Sequence, residues 1–224
     1  LENFYKDEAS FFTAPPTKGA PGTRVKDNLA FLNKYVRRPV ASILEIGCYD
    51  GYFLDLVRKH FKAKEAVGIE ISERENIFPR ITVIHDEYPA KEVAGKKFDL
   101  IIAMNVLEHV LNPRACMAAI RENLSEHGSV LIEIPNEVHA FRSGMLSYQH
   151  QHISYFTPVT IRRFLASLGM KINALYTKDL DRMLLVCSKT KRPSAARYLA
   201  DVSSRGFARR GAVQNPILPI LRQR

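Results

Sequence analysis

From Arg24 the apolar residues Val25, Leu29, Leu32 and Val36 recur at three- and four-residue steps, the spacing of one helix face, and Pro39 closes the stretch. The rhythm then changes. Residues 42–46 form a short β-branched run ending at Gly47, and after Gly51 residues 52–61 return to helical spacing. Short apolar runs follow at 66–69, 81–84 and 98–103, then a helical pattern over 113–124, and Gly128 leads into a fifth run at 129–134. Strands alternating with helices predict parallel pairing, because each crossover lays a helix on the sheet and both faces become buried.

The last third breaks this alternation. Residues 158–168 predict a helix with Pro158 at its start and Gly169 past its end. Two β-patterned runs, 171–176 and 183–188, then flank Asp179-Leu-Asp181 closely enough to form a hairpin. The predicted fold class is α/β: a doubly wound, mostly parallel seven-stranded sheet with helices on both faces and a C-terminal antiparallel hairpin. Residues 1–23, Phe/Tyr-rich and then broken by Pro and Gly, are expected to be a mobile lead-in. Residues 24–188 are expected to form the domain and 189–224 a basic tail. There is no internal repeat.

Composition narrows the class. A chain of 224 residues, 46% hydrophobic and 25% charged, has the make-up of one globular domain rather than a disordered or disulfide-stapled one. At this length roughly 70% of the unfolded surface is buried, so a core forms without metal support. The longest apolar run, near residues 100–107, falls well short of the roughly 20 residues that span a bilayer. Leu1 opens a segment too charged for a secretory signal. Cys48, Cys116 and Cys187 show no disulfide or zinc spacing, which predicts a reducing, cytoplasmic setting. Net charge is +10, but nine Lys/Arg face only Asp201 from Lys189 onward, so the basic character belongs to the tail.

In such sheets ligands sit beyond the carboxyl ends of the strands. After the first run stands Glu45-Ile-Gly-Cys-Tyr-Asp-Gly51: Gly47 permits a sharp turn and close approach, and Gly51 lets the next helix pack on the strand. The second run ends in Gly68-Ile-Glu70, an acid placed to accept from two ribose hydroxyls, or else a helix N-terminal acid ahead of Ser72. The third ends in His85-Asp86, where Asp86 is either a partner for an exocyclic amine or a solvated loop acid.

Ile43-Leu-Glu-Ile-Gly-Cys-Tyr-Asp-Gly51, Gly68-Ile-Glu70, Phe98-Asp-Leu-Ile-Ile102 and Asn105-Val-Leu-Glu-His109, in this order and spacing, resemble the class I S-adenosylmethionine-dependent methyltransferases. The resemblance covers roughly residues 24–188. It implies that Glu45, Gly47 and Gly51 line the methionine part of S-adenosylmethionine, Glu70 the ribose and Asp86 the adenine; Tyr49 and Asn105 are further candidates for the cofactor pocket. Tyr49 stands where many members have glycine. A nicotinamide enzyme fits less well, since the complete Gly-x-Gly-x-x-Gly pattern is missing.

Methyl transfer from a sulfonium needs an aligned nucleophile and a group to take its proton. Enzymes acting on base amines commonly carry Asn/Asp-Pro-Pro-aromatic after the fourth strand, and here the loop is Asn105-Val-Leu-Glu-His-Val110. The long connection after the fifth strand carries Glu133-Ile-Pro-Asn136 and then Tyr148-Gln-His-Gln-His-Ile-Ser-Tyr-Phe156. If that piece is extended, His150, His152 and Ser154 share one side, and an imidazole suits proton acceptance at neutral pH. These two motifs resemble the C-methyltransferases of nucleotide-linked keto-sugars and related glycan and natural-product methyltransferases. The resemblance implies His152 as base; His150 is a second candidate from the same side of the segment, and Tyr148 is a core residue, a substrate stacker or a phenol donor. Gln151 replaces the Glu of the family motif.

A His-x-His pair can also ligate zinc, but no third ligand stands at a recognisable spacing, so no metal is expected. Structural histidines tying the loop to the 158–168 helix are the plainer alternative. The expected acceptor is a small molecule, a nucleotide-sugar or glycan precursor. Two other readings stand beside it: an RNA or protein methyltransferase recruited by the tail, nucleic acid being the less favoured partner, and a cofactor-binding module without turnover. Oligomeric state is not legible.

Overall fold

The computed structural model describes residues 21–73, 78–136, 138, 152–177 and 182–190. The lead-in through residue 20, the tail from residue 191, and Tyr148 and His150 lie outside these residues. The elements run α1 (Thr23–Tyr35), β1 (Ser42–Ile46), α2 (Tyr52–Phe61), β2 (Glu65–Ile69), β3 (Thr82–Ile84), a single 3₁₀ turn (Lys91–Val93), β4 (Phe98–Met104), α3 (Pro113–Asn123), β5 (Leu124–Pro135), α4 (Pro158–Ser167), β6 (Met170–Tyr176) and β7 (Arg182–Lys189). One seven-stranded sheet has the order β3-β2-β1-β4-β5-β7-β6. The first five strands are parallel, and β7 inserts antiparallel between β5 and β6. The expected fold class is therefore observed, with the one reversed strand inside the hairpin end and β6 at the edge.

Period-two alternation explains the strands. Leu44, Ile46, Ile101, Ala103, Val130 and Ile132 point to one face, where α3 supplies Met117 and Ile120 and α4 supplies Ile161 and Leu165. Ile43, Leu100, Ile102, Leu131 and Val186 point to the other, against Leu32 of α1 and Phe53, Leu54 and Val57 of α2. Helix ends follow ordinary chemistry: Asn112 caps α3 with Pro113 behind it, and Thr157 and Thr160 form a reciprocal capping box at α4.

β5 differs from expectation by beginning at Leu124, directly out of α3. Phe98 pairs with Leu124 and Leu100 with Ser129, so the register shifts between them. Gly128 sits in that irregularity, where a Cβ would come within 2.7 Å of Leu124 Cδ1 and 3.0 Å of the Asp99 carbonyl. Only glycine fits.

Candidate active site

The parallel register aligns the strand ends. Ile46 pairs with Ile69 and with Ala103, and Ile69 pairs with Ile84, so Gly47, Glu70, His85 and Met104 emerge side by side. Backbone bonds continue the ladder beyond the strands: the N–H groups of Gly47 and Cys48 donate to the Ile69 carbonyl, Glu70 N–H to Ile84, and Asn105 N–H to Glu133. Gly47 (φ 69°) and Gly51 (φ 78°) adopt left-handed backbone, as do Tyr49 (φ 54°) and Asn105 (φ 52°). Tyr49 thus keeps the left-handed geometry that glycine would adopt freely.

Sequence-predicted residues meet in this row. The Tyr49 N–H donates to Glu70 Oε2 at 2.7 Å, while Glu70 Oε1 accepts from the Ser72 N–H and hydroxyl. Glu70 thus anchors the turn at Ser72 and also ties the first loop to the end of β2. A carboxylate offers about four acceptor positions, which leaves one on Oε2 and a second if the Ser72 hydroxyl yields. His85, an exposed residue the sequence reading did not use, fastens β3 to the same place through Nδ1 on the Ser72 carbonyl at 2.8 Å. Asp86 is exposed, and its Oδ1 accepts from the neighbouring Glu87 N–H.

The pocket floor is acidic and under-satisfied. Glu45 is buried, and its Oε2, like Oδ2 of buried Asp50, has no hydrogen-bond partner. Burial, then the charges of Asp50 and Glu70, push the Glu45 carboxyl well above its usual range, against the opposing pull of the Leu54 N–H at the start of α2. Buried polar atoms without partners are uncommon and call for an occupant. A cationic cofactor bearing an ammonium and a sulfonium suits this donor-poor, negative floor. The crowding is tight: a Cβ on Gly68 would lie 2.3 Å from Cys48 Sγ, so β2 admits the first loop only because residue 68 lacks a side chain. All three cysteines are free and buried.

Across the row, a buried network fixes α1 over the ends of β4, β5 and β7. Glu133 accepts from Asn28 Nδ2 (2.8 Å), Arg182 Nη1 (2.9 Å) and Arg24 Nε (2.8 Å), and Arg24 also reaches Asn105 Oδ1 at 3.5 Å. Arg182 in turn bonds Asn28 Oδ1 at 2.9 Å. None of this was anticipated, since the partners are scattered along the chain. The available signal was one acid inside the apolar run of β5.

Opposite lies the loop after β4. His109 and His152 pack edge to face, ring centres 4.9 Å apart, with Tyr155 6.2 Å from His152. Residues 152–157 are not a strand: Ile153 and Ser154 both donate to the Glu108 carbonyl, whereas successive N–H groups of an extended chain point opposite ways. The alternation inferred for His150, His152 and Ser154 thus does not hold where the chain is described. Burial, and then the charge of His109, lowers His152 to about 4, leaving it unprotonated at neutral pH. Glu108, His109 and His152 place one ligand atom each within 4.8 Å of one another. That supplies the third member missing from the sequence-level zinc argument, although tetrahedral zinc needs ligands roughly 3.4 Å apart.

A family model described as a methyltransferase domain matches residues 20–175. The chain belongs to this family and is a class I S-adenosylmethionine-dependent methyltransferase. Three solved structures share the fold. Magnesium protoporphyrin IX methyltransferase from Synechocystis PCC 6803, with bound S-adenosylhomocysteine, is 14% identical at TM-score 0.59, covering 84% of this chain and 98% of that one. The 1,6-didemethyltoxoflavin-N1-methyltransferase of Burkholderia thailandensis, holding its substrate and S-adenosylhomocysteine, is 13% identical at TM-score 0.59, covering 84% of each chain. A plantazolicin methyltransferase bound to a desmethyl analogue and S-adenosylhomocysteine is 18% identical at TM-score 0.61, covering 84% and 88%. No curated protein sequence matches the chain. Among the described residues no helix is long and apolar enough to cross a membrane.

Proposed function

We propose that this enzyme methylates a carbon or oxygen of a sugar-like small molecule, a nucleotide-linked keto-sugar being the acceptor best matched by the His-x-His-Ile-Ser-Tyr-Phe segment. The observation that carries the reading is the placement of unprotonated His152 beside the loop after β4, at the carboxyl end of the sheet. S-adenosylmethionine, when bound, supplies an electrophilic methyl on a positively charged sulfur that departs as a neutral thioether. The chain's part is to bind, align and take a proton. Glu45, Gly47, Tyr49 and Gly51 would hold the methionine end, Glu70 the ribose, and Asp86 the adenine side, with Asn105 at the mouth. His152 accepts the acceptor's proton, with Tyr148 and His150 of the same motif as further catalytic candidates.

The test is methyl transfer from isotopically labelled S-adenosylmethionine to a panel of nucleotide-linked keto-sugars, with products placed by mass spectrometry and NMR. Labelled product methylated beside the keto group supports the C-methyl reading, and label on a hydroxyl supports the O-methyl one. Label appearing only in RNA or protein would remove the sugar reading. Binding of S-adenosylhomocysteine with no transfer to any acceptor would favour a module that has lost turnover.

A further inference from the structure

The amino ends of the parallel strands form a face opposite the carboxyl ends that carry the site, and that face is basic. Arg38 precedes β1, Lys62 and Lys64 precede β2, Arg80 precedes β3, Lys96 and Lys97 precede β4, and all are exposed. Lys189 ends antiparallel β7 at this same end, where its Nζ donates to the Leu124 carbonyl. Burial, and then the charges of Lys97 and Arg121, push its ammonium below the usual lysine value against the opposing pull of Glu126. The exposed acids Glu65, Glu92, Glu122 and Glu126 are outnumbered there. Lys and Arg nearly balance the acids over residues 1–188, so the face is basic by placement, while Glu45, Asp50, Glu70 and Asp86 gather at the other pole. Between the end of α2 and the residues before β3 lies a cavity of about 570 Å³ whose walls include Arg58, Lys59, Lys62, Arg80, Phe78 and Pro79. Asp55 engages Arg58 and Lys59, whereas Lys62 and Arg80 have no acid partner among the described residues.

We propose that this amino-end face docks the enzyme on an anionic lipid bilayer, the basic cavity seating a lipid phosphate and the mouth of the site turned to solution. The proposal goes beyond the acceptor reading and holds for any small acceptor. The negative potential of an anionic leaflet falls off within a Debye length, about 10 Å at 0.1 M salt. Cations therefore act together only when one face brings them all to the surface, as the strand entrances do here. The same potential repels the acidic pole, so attraction and orientation have one cause. Stable attachment takes a second signal besides charge. Thr190 leaves β7 at this face, its N–H on the Gly169 carbonyl, and the sequence beyond it adds further Lys and Arg against the single Asp201. It also carries the apolar pairs Ile217-Leu218 and Ile220-Leu221. Cationic and apolar side chains together match the headgroup boundary of a bilayer. A nucleic acid held on this face would lie across the molecule from the mouth, out of reach as a substrate.

The experiment is flotation of the full chain with vesicles of phosphatidylcholine alone and of equal parts phosphatidylcholine and phosphatidylglycerol, beside a gel-shift titration with an RNA homopolymer. The chain should float with the mixed vesicles and not with phosphatidylcholine alone. It should dissociate near 1 M salt, where the Debye length shrinks to about 3 Å. Each surface cation contributes about fivefold to partitioning, so Lys64→Gln/Arg80→Gln should weaken binding roughly 10- to 30-fold. Lys62→Gln/Lys96→Gln repeats the test if circular dichroism shows the first pair misfolded. Lys26→Gln/Arg114→Gln removes the same charge from exposed positions at the starts of α1 and α3, near the carboxyl ends, and should change binding by no more than about twofold. Equal binding to both vesicle types, unchanged binding in both amino-end variants, a control loss as large as theirs, or an RNA shift without flotation would overturn the proposal. The readout needs no methyl acceptor, so its failure and that of the acceptor reading are distinguishable.

Discussion

Replacing Glu133 by Gln tests what holds the first helix over the mouth of the site. Glu133 is 1% exposed and Arg182 6%, and three donors from α1 and β7 converge on the carboxylate. Glutamine keeps the shape but offers one acceptor oxygen, turns an NH₂ toward existing donors, and leaves the Arg182 guanidinium without its buried counter-charge. Asp27, more than half exposed and 3.8 Å from Arg182, compensates only weakly. Breaking a buried pair from one side costs about 3–5 kcal/mol. For a chain of this size that lowers the melting temperature by roughly 6–20 °C. Urea unfolding followed by far-UV circular dichroism is suitable, because the chain has no Trp to report fluorescence, and the slope should stay constant while the midpoint falls. Arg24→Gln is the internal control: Arg24 is 53% exposed, and a loss there of no more than about 1 kcal/mol is expected. A Glu133→Gln loss below about 1 kcal/mol, or one no larger than that of Arg24→Gln, would refute the argument.

Glu45→Gln should change the pH dependence of stability. Because the folded-state value of Glu45 is raised by burial and by Asp50 and Glu70, its contribution is full below the ordinary carboxyl range and is lost as pH rises through the raised value. The cofactor-free variant should therefore gain thermal stability on the wild type as pH rises above the ordinary carboxyl range, and a pH-independent difference in melting curves would contradict this. Glu70→Ala should weaken S-adenosylhomocysteine by about tenfold or more, since it loses the charged partner of the Tyr49 N–H as well as the ribose acceptor; calorimetry giving a wild-type Kd would contradict the ribose assignment. His152→Ala should leave that Kd nearly unchanged and lower turnover by about 100-fold or more, and near-normal turnover in a labelled-methyl assay would remove His152 from catalysis.

The element pattern was open to sequence reading because the central strands β1, β4 and β7 and the second half of β5 are buried on both faces, so apolar runs such as 98–103 stand out against their polar connections. The start of β5 was not, because Ser125, Glu126 and His127 look like a loop and enter the strand only through the irregular register that Gly128 permits. In the site, residues close in sequence were legible: Glu45 through Gly51 and Glu70 share one local pattern. Contacts between distant segments were not. His109 carried no mark tying it to His152, and Asn28, Arg24 and Arg182 are ordinary polar residues until the fold gathers them on Glu133. Tyr49 looked anomalous at a glycine position, and the structure places it there in glycine's own backbone geometry.

The bond between Asn28 and Arg182 joins residues 154 positions apart. Until β7 slots between β5 and β6, Glu133 has only the half-exposed Arg24 as a cationic partner and Asn28 lacks its bond to Arg182. A nascent or truncated chain ending before Arg182 would carry every cofactor-loop residue named here, yet would expose the flank of β5 as an unpaired edge. The locking piece of the fold is thus made after every one of those residues. Competence to hold the mouth of the site in shape therefore comes only with β7, after the residues it serves.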